Sequence, residues 1–485
     1  MEVKKMSFIP EEMKACIPAD MKDYIPDSIE ELKSYAVNHI CPHYMSNPDL
    51  ERDPKVYVKS EGNYIYDVEG KKYLDSFASI LTTMCGHNNS EIIEKIKAQF
   101  DVLDFFPNFG DHYCIPMVAL SKKLTEIAPE GLTSFFYVNS GSESNETAIK
   151  AAWAYQLEQG FKNRTKIIHR RGSYHGTTVT VTAACGLPWF NEKYPVDSNM
   201  LEVPPCDCDH CQCDCSKEYG TCGMQCLKDT EALILKEGPE TIAALIMDPL
   251  PGSNSGYPIA PQEYMDGIRA LCDKYGILLI FDEIQCGFGK SGEWFVANNY
   301  KVTPDLLTTS KALTNGYVPL GVVMMKQKIY DCFRTGTSEF RSGSTFGGHN
   351  VACAAAIATI DYIKEHDLIA KSKVLSDRMA AGLDKLQEKH PIILRHKHLG
   401  MMFSIELTAK KGEFVPFEKP GAPGAFVNAW CYEKEGAIIR NNVYNQRDNV
   451  VYCPALTFTE EMIDKLLDAL DNAFTAAEKE FNVQG

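Results

Sequence analysis

Short apolar runs alternate with amphipathic stretches through the middle of the chain. The runs Phe135–Val138, Ile242–Met247 and Ile277–Phe281 are each followed by a polar residue, and helical periodicity fills the intervals, for example over 263–275. Near-continuous apolar strands separated by helices indicate a mostly parallel sheet covered on both faces. We therefore predict an α/β fold whose functional residues collect at the carboxyl ends of the strands.

The pattern changes on either side of this central part. Residues 56–75 alternate as a β-hairpin, and beyond residue 349 helices alternate with short strands. An Ile-Pro pair recurs with a period of eight at Ile9, Ile17 and Ile25. This indicates an arm of Pro-initiated turns packed on the body or on a partner subunit, with a docking peptide as the alternative. The predicted division is an arm over 1–34, small-domain parts over 35–75 and 336–485, and a large domain over 76–335 with a cysteine-rich insertion at 204–226.

Composition narrows the class of protein. The chain has 485 residues, 45% of them apolar, and a formal net charge of −16. A surface this acidic repels phosphate backbones and argues against nucleic-acid binding. No apolar stretch is long enough for a transmembrane helix, and the first residues lack the apolar core of a signal peptide. We therefore expect a cytoplasmic protein without membrane attachment, whose 18 cysteines are free thiols or metal ligands.

Lys311 and Asp282 carry the candidate chemistry. Lys311 follows an apolar run and precedes a glycine-rich turn, and Asp282 ends the most apolar run in the chain. Each alone has an ordinary explanation, since lysines are usually solvated and a carboxylate at a strand end can cap a helix or form a structural salt bridge. Together they indicate an amine held near a buried carboxylate, which is what a pyridoxal phosphate (PLP) enzyme needs.

Three further turns are candidates for contact with the same cofactor. Ser140–Ser142 opens a helix, where N–H groups and hydroxyls suit a phosphate, although a capped helix start has the same pattern. Tyr174 can stack on a flat ring or pack in the core. A second turn rich in hydroxyls and glycine contains Ser344 and Thr345.

In this order, the motifs resemble those of class III (omega-type) aminotransferases, which are PLP enzymes of fold type I. The resemblance extends over roughly residues 40–480. It implies a large domain with a mostly parallel seven-stranded sheet between helices, plus a small α+β domain from both chain ends. The matching motifs are Asn139–Glu146, Tyr174–Gly176, Asp282–Gly289, Ser310–Lys311 and Ser344–Gly348.

The resemblance also implies roles for the matching residues. Lys311 would form the Schiff base with the cofactor and shuttle the proton, and Asp282 would hold the pyridine nitrogen protonated. Tyr174 and Ile284 would enclose the ring. Thr345 would reach the phosphate of the neighbouring subunit's cofactor, which implies a homodimer, or a tetramer formed as a dimer of dimers. The implied cofactor-binding set is Ser140, Gly141, Ser142, Tyr174, His175, Asp282, Ile284, Lys311, Ser344 and Thr345.

Departures from the family's glutamate-using branch bear on the substrate. In Asp248-Pro-Leu-Pro-Gly-Ser253 both end residues stand where that branch carries glutamates, and the pattern is more similar to omega-amino acid:pyruvate enzymes. By the same resemblance Arg440 would bind a substrate carboxylate or sulfonate through two hydrogen bonds. Arg447 is the alternative, and a solvated surface arginine is the ordinary interpretation of either. Thr82 is expected to line the substrate pocket. The related enzymes often carry a tryptophan near this position, and its absence predicts a wider or more polar pocket.

Seven cysteines fall within one short segment together with His210. Their spacings suit a structural zinc ion; a loop of free thiols and an iron–sulfur cluster are the alternatives. A role in catalysis is not expected, because the PLP motifs are complete without them. The candidate metal ligands are Cys206, Cys208, Cys211, Cys213, Cys215, Cys222 and Cys226.

These observations predict a PLP-dependent aminotransferase. The amino group of an omega-amino acid or amine, such as β-alanine, taurine or 4-aminobutyrate, would pass to a keto acid by a ping-pong mechanism through pyridoxamine phosphate, with pyruvate as the expected acceptor. The alternatives are a decarboxylase or aminomutase on the same fold, a 2-oxoglutarate-dependent aminotransferase, and a metal-binding or assembly protein with a vestigial PLP site. Retention of both Lys311 and Asp282 argues against the last.

Overall fold

The computed structural model describes residues 6–44, 53–195, 199–211 and 223–484. Three β-sheets and the helices packed on them form this part of the chain. The strands are β1 (Tyr57–Glu61), β2 (Tyr64–Asp67), β3 (Lys72–Asp75), β4 (Leu132–Val138), β5 (Lys166–Arg170), β6 (Met200–Val203), β7 (Ile242–Met247), β8 (Leu278–Asp282), β9 (Leu306–Thr309), β10 (Gly321–Lys326), β11 (Ile393–Leu399), β12 (Met402–Leu407), β13 (Ala437–Ile438), β14 (Arg440–Tyr444) and β15 (Arg447–Tyr452).

The helices lie between these strands and on the outside of the sheets. The α-helices are α1 (Glu11–Lys14), α2 (Ile29–His39), α3 (Ser90–Phe100), α4 (Ile115–Thr125), α5 (Gly141–Glu158), α6 (Val179–Ala183), α7 (Pro188–Asn191), α8 (Gln225–Glu237), α9 (Gln262–Tyr275), α10 (Val296–Tyr300), α11 (Gln327–Cys332), α12 (Asn350–Glu365), α13 (Leu368–Lys389), α14 (Ala422–Trp430) and α15 (Glu460–Glu480). None of the helices in the described ranges is long and apolar enough to cross a membrane.

The central sheet has seven strands in the order β4-β10-β9-β8-β7-β5-β6. Strand β10 runs antiparallel to its neighbours β4 and β9, and the other pairs are parallel. Every residue of β7 and β8 is buried, because helices cover both faces and apolar side chains on both sides of the strand are therefore favourable. The prediction of a mostly parallel seven-stranded sheet is confirmed.

The parallel strands place the candidate functional residues at one edge of the central sheet. Strand β8 ends at Asp282, β9 ends shortly before Lys311, and β7 ends immediately before Asp248. Strand β4 leads into helix α5, and β5 leads into the turn that contains Tyr174. Because the carboxyl ends of parallel strands share one edge of the sheet, residues far apart in the chain meet there.

The other two sheets are smaller. One has the order β1-β2-β3-β13, and β13 joins it in parallel by pairing Ala437 with Leu74. The other is antiparallel, in the order β11-β12-β15-β14. Segments from both ends of the chain therefore meet in one sheet, as the resemblance implies.

The N-terminal arm packs on the first of these small sheets. Ile9, Met13 and Ile17 are buried in one apolar cluster with Val68. Pro10 immediately precedes α1, where its fixed φ and missing N–H suit the start of a helix. The period-eight repeat thus places its isoleucines on the body of the same chain.

A left-handed turn follows β3 and has no counterpart among the predicted elements. Ala78, Ser79, Ile80 and Leu81 have φ values of 41°, 46°, 62° and 61°. Such a conformation costs roughly 1–2 kcal/mol per residue when a Cβ is present, and a β-branched residue such as Ile80 adopts it rarely. The sequence here contains no glycine that would signal the turn.

The structure defines the bounds of two helices, α6 and α14, more closely than the sequence does. The sequence pattern over Thr178–Thr182 is compatible with a strand or a helix; in the structure Thr178 is the N-cap of helix α6, which begins at Val179. The sequence pattern also predicts a helix over 425–435; in the structure it starts earlier, as α14, and continues through a π-helical turn at Cys431–Glu435. Val181 and Thr182 of α6 are buried, which indicates that tertiary packing outweighs their local preference for strands.

Candidate active site

Asp282, at the carboxyl end of β8, is 4% exposed. Its Oδ1 accepts a hydrogen bond from the backbone N–H of Ile284 (3.0 Å). Its Oδ2 accepts one from the Asn145 amide (2.7 Å) and lies 2.8 Å from Nδ1 of His175. A buried carboxylate is tolerated only when it is hydrogen-bonded or paired, and these contacts fix its orientation.

Asn145 belongs to this network but is absent from the predicted site residues. Its Oδ1 accepts a hydrogen bond from Thr308 Oγ1 on β9 (2.6 Å), and its amide also donates to the carbonyl of His175 (2.7 Å). It therefore ties β9, helix α5 and the Tyr174 turn to one carboxylate. The sequence signal for it is weak: an uncharged polar residue in a helix that must pack against an apolar sheet.

Lys311 follows β9 and opens the 3₁₀ turn Lys311–Thr314. Its φ is +46°, a strained conformation of the kind that functional sites often retain. Burial lowers the pKa of its amine to about 8; the charge of Lys290 acts in the same direction, and Asp282 opposes both. An amine with such a pKa is available as a nucleophile and as a base.

Most of the predicted cofactor residues line one cavity of about 140 Å³. Three residues outside the predicted set, Gly176, Asp248 and Gln285, complete it. The cavity thus joins residues from five separate stretches of the chain. Its full lining is Gly141, Ser142, Tyr174, His175, Gly176, Asp248, Asp282, Ile284, Gln285 and Lys311.

Glycine is required at two positions beside the cavity. A Cβ on Gly141 would lie 2.8 Å from Ile284 Cδ1, and a Cβ on Gly176 would lie 2.5 Å from Ser142 Oγ. Both distances are too short for real side chains. Glycine at 141 therefore lets Ile284 pack against the start of α5, and glycine at 176 lets the Tyr174 turn approach Ser142. The first-turn N–H groups of α5, which have no partners within the helix, form a positive end suited to an anion.

The remaining predicted cofactor residues lie outside the cavity lining. Ser140 caps α5, since its Oγ accepts a hydrogen bond from the Glu143 N–H (3.2 Å). Ser344 Oγ accepts one from the Asn139 amide (2.5 Å), and Thr345 is exposed. Ser344 and Thr345 therefore do not line this chain's own cavity, and the contact of Thr345 with the neighbouring subunit's cofactor stays a prediction.

Arg440, at the start of β14, holds a charge without a carboxylate partner among the described residues. Its Nη2 donates to Asn254 Oδ1 (3.1 Å), and its guanidinium lies 5.9 Å from the centroid of the Phe77 ring. Burial lowers its pKa, and the phenols of Tyr257 and Tyr174 oppose this shift. A half-buried cation without a carboxylate partner among the described residues is favourably placed to receive an anion.

The other predicted substrate residues are either already paired or lie outside the cavity lining. Arg447 forms an ion pair with the buried Glu406, and its guanidinium lies 3.7 Å from the centroid of the Phe414 ring, so its charge is already compensated. Thr82 and Ser253 do not line the cavity. Thr82 packs against the loop after Lys311, and buried Ser253 precedes the Asn254 that holds Arg440.

A buried ion pair borders the cavity. Asp248 Oδ1 lies 2.8 Å from Nη2 of Arg170, which also donates to the carbonyl of Asp248. Within the residues the structure describes, Asp248 Oδ2 has no hydrogen-bond partner. Because Asp248 lines the cavity, this oxygen is available as an acceptor there.

The cysteine-rich segment is only partly described. Among the described residues, no group of three or more His, Cys, Asp or Glu side chains is arranged to hold a metal ion. His210 is instead placed 2.8 Å from Glu406. Of the predicted ligands, four lie within the described ranges: Cys206, Cys208, Cys211 and Cys226. The predicted ligands outside those ranges are Cys213, Cys215 and Cys222.

Comparisons with known proteins agree with this geometry. Residues 46–474 match the family model Aminotransferase class-III. The chain is 34% identical over 428 residues to gamma aminobutyrate transaminase 3, chloroplastic, of Solanum lycopersicum, covering 86% of this chain and 80% of that protein. It is 33% identical over 465 residues to taurine–pyruvate aminotransferase of Bilophila wadsworthia, covering 93% and 97%. The structure of the omega transaminase from Pseudomonas jessenii in complex with PMP is similar, with a TM-score of 0.88 and 28% identity over 94% of this chain and 100% of that one.

The chain belongs to the class III aminotransferases, and its fold is that of the PLP enzymes of fold type I. The residues around the cavity fit this cofactor. They present an amine, a buried carboxylate for a pyridine nitrogen, an aromatic face at Tyr174 and a positive helix end for a phosphate. The protein is therefore a PLP-dependent aminotransferase.

Proposed function

We propose that this enzyme transfers the amino group of an omega-amino acid or amine to a keto acid, with pyruvate as the acceptor. The observation that carries the proposal is that Lys311 and Asp282 line the same cavity. An amine with a lowered pKa and a hydrogen-bonded carboxylate at one cavity are the two groups that PLP-dependent amino transfer requires from the protein.

The chain's own residues have separable tasks in this reaction. PLP supplies a carbonyl carbon that takes the amino group and a ring that withdraws electrons. Lys311 would attach the cofactor, and its Nζ would remove the proton from the donor carbon that bears the amino group. Asp282, held by Asn145 and His175, would keep the ring nitrogen protonated. Ser142 and the first-turn N–H groups of α5 would hold the phosphate.

The surroundings of Arg440 support a monocarboxylate acceptor. No carboxylate in the described part of the chain covers this arginine, in keeping with the serine at position 253 where glutamate-using enzymes carry a glutamate. Its guanidinium would bind the carboxylate of pyruvate through charge-assisted hydrogen bonds. The names of the relatives point to 4-aminobutyrate and taurine as donors and, for one of them, to pyruvate.

A half-reaction screen tests the proposal. Holoenzyme is mixed separately with β-alanine, taurine, 4-aminobutyrate, diamines, L-alanine and L-glutamate, and the visible absorbance of the bound cofactor is followed. We expect conversion by at least one omega-amino compound and by L-alanine, and none in Lys311→Ala. Conversion by L-glutamate without L-alanine would replace pyruvate by 2-oxoglutarate, and release of carbon dioxide would indicate the decarboxylase instead.

We further propose that the active unit is a homodimer. Large apolar side chains are exposed along residues 100–118, and the loop that carries Thr345 packs against this segment. Asn108 donates to the Gly348 carbonyl (3.0 Å), and the rings of Phe105 and Phe346 are 5.5 Å apart. Apolar exposure on this scale is typical of an interaction surface. The exposed residues are Phe100, Val102, Leu103, Phe106, Phe109, Tyr113, Ile115, Val118 and Phe346.

The zinc ion predicted for the cysteine-rich segment stays a prediction. The described cysteines other than Cys211 are free thiols, which supports a reducing compartment such as the cytoplasm. Metal analysis of the purified full chain tests the zinc. Less than about 0.2 zinc or iron per chain would exclude a metal, because structural sites of this kind bind tightly.

A further inference from the structure

The left-handed turn Ala78–Leu81 is held by a buried carboxylate. Asp75 is 2% exposed. Its Oδ2 accepts hydrogen bonds from the backbone N–H (2.8 Å) and the hydroxyl (2.9 Å) of Ser79, and it lies 2.8 Å from Nε2 of His87. Its Oδ1 accepts one from the Phe77 N–H (3.3 Å). Asp75 therefore binds both the entry to the turn and the segment that leaves it.

The segment after the turn is attached to the loop that carries Lys311. The Cys85 N–H donates to Asn315 Oδ1 (2.8 Å), and the Asn315 amide donates to the Gly86 carbonyl (2.8 Å). A Cβ on Gly316 would lie 2.8 Å from Thr82 Cγ2, so the two segments are in direct contact. A displacement of residues 82–86 therefore displaces the turn that begins at Lys311.

The strain in the turn makes this attachment dependent on Asp75. Four consecutive residues with positive φ, none of them glycine, would return to ordinary backbone conformations if nothing held them. The carboxylate supplies the acceptors that compensate for the strain. Ile80 lies in the middle of the turn and is 56% exposed, so its side chain contributes little packing in return.

We propose that Asp75, with Ser79 and His87, is a positioning residue for Lys311: it holds the left-handed turn, and the turn holds the lysine loop through Asn315. The proposal rests on the function proposed above, in which Lys311 moves a proton at the donor carbon. Its action through the turn also affects the resting enzyme, because the same loop orients Lys311 toward the cofactor before any substrate binds.

The first experiment replaces Asp75 by asparagine in the holoenzyme. Asparagine keeps the size of the side chain but loses the charge and one acceptor oxygen. We expect kcat to fall roughly 10- to 100-fold, as misplacement of a catalytic group by a fraction of an ångström does. The KM values should change little, and a deuterium isotope effect at the donor carbon should increase because proton transfer becomes slower. The visible circular dichroism of the bound cofactor should also change.

The second experiment separates positioning from general instability. In the Asp75→Asn background, Ile80→Gly makes the left-handed conformation favourable again. We expect the double variant to recover most of the lost kcat and the circular dichroism of the wild type. Lys301→Gly is the matched control, since Lys301 also has a positive φ of 51° at an exposed helix end but lies away from Lys311. It should restore neither property.

The outcomes distinguish this inference from the proposed function. If the wild type converts no omega-amino compound, the proposed function fails, and the circular dichroism still reports on the position of Lys311. If the wild type is active and Asp75→Asn keeps its kcat and spectrum, the positioning role is wrong. It is also wrong if Lys301→Gly rescues Asp75→Asn as well as Ile80→Gly does, because general stabilisation would then explain the recovery.

Discussion

Two lysines near the cavity have charges that the fold makes unfavourable. Lys290 is completely buried and donates a hydrogen bond to the Gly287 carbonyl (2.7 Å). Burial lowers its pKa to about 8, and its charge helps to lower the pKa of Lys311. The positive charge of Lys290 therefore favours the neutral form of Lys311.

We predict that Lys290→Met raises the pKa of Lys311, because a nearby positive charge is removed. Only the neutral amine attacks an aldehyde, so the rate at which apoenzyme captures PLP should reach half its maximum at a higher pH, by up to about one unit. Stopped-flow mixing of apoenzyme with PLP across neutral and alkaline pH measures this midpoint. Lys290→Arg keeps the charge and is the control; an unchanged midpoint in Lys290→Met contradicts the electrostatic explanation.

Arg440 offers a second test at the scale of one residue. Replacing it by glutamine removes the charge-assisted hydrogen bonds to the keto acid, worth about 1.5–3 kcal/mol, which is roughly a 10- to 100-fold increase in KM for pyruvate. Steady-state kinetics with a donor that lacks an acidic group measures the change in the KM for pyruvate alone, because such a donor has no carboxylate for Arg440 to bind. Arg447→Gln is the comparison: it breaks the pair with Glu406 and should lower stability while leaving this KM nearly unchanged. Equal effects of the two variants would remove Arg440 from its proposed role.

The residues at the site differ in how well their roles can be predicted from the sequence. Lys311 and Asp282 are visible because each follows an apolar strand and both lie in motifs of a known order. Asn145 and Gln285 lie in the same motifs, but their roles cannot be predicted from the sequence because they depend on which side chains from other strands reach them. The free oxygen of Asp248 likewise becomes apparent only when Arg170 is seen to occupy the other one.

At the scale of elements, the position of β9 determines where Lys311 lies. Asp305 precedes this strand, accepts a hydrogen bond from the Leu279 N–H (3.0 Å), and lies 2.9 Å from Nη1 of Arg269 and 3.1 Å from Nζ of Lys328. Burial alone would raise the pKa of Asp305, but Arg269 and the nearby lysines outweigh it and lower the pKa from 3.8 to about 2. This carboxylate therefore anchors the start of β9 in its charged form.

We predict that Asp305→Asn destabilises the fold at neutral pH and that the deficit disappears in acid. A carboxyl whose pKa is lower in the folded state contributes stability above its unfolded value of 3.8, and this contribution is lost as the pH falls toward 2. The expected difference in the free energy of unfolding is about 2 kcal/mol near neutrality. Urea denaturation of both proteins over a pH series measures it, and a difference that stays constant down to pH 2 would contradict the electrostatic origin.

The elements themselves were predictable to the extent that their signals are local. Strands β7 and β8 and helix α12 follow directly from apolar runs and helical periodicity. Helix α6 is ambiguous because its threonines and valines favour strands. The left-handed turn Ala78–Leu81 is invisible, because the Asp75 and His87 contacts that hold it come from outside the turn and no glycine marks it.

At the scale of the whole molecule, the two chain ends complete one sheet. The pairing of β13 with β3 brings residues 437–438 beside residues 74–75, and the turn held by Asp75 follows at once. Arg440 lies just beyond β13, so the same pairing places the anion-binding candidate and the turn that positions Lys311 next to each other. The order of motifs along the chain predicts the fold class, but only this long-range pairing relates the two functional groups.

Assembly into a dimer would depend on one exposed apolar surface. The exposed residues on 100–118 and Phe346 form the proposed dimer surface, and Val118 on helix α4 is 52% exposed. Val118→Lys would bury an unpaired charge at that surface, at a cost of several kcal/mol. Light scattering after size-exclusion chromatography should show the wild type as a dimer or a larger assembly and the variant as a monomer. The variant should also lose its activity, because Thr345 could no longer reach a neighbouring cofactor. Val374→Lys, at a position that is 62% exposed on helix α13, is the matched control and should change neither property. A Val118→Lys variant that keeps its mass and its activity would show that this surface does not join the subunits.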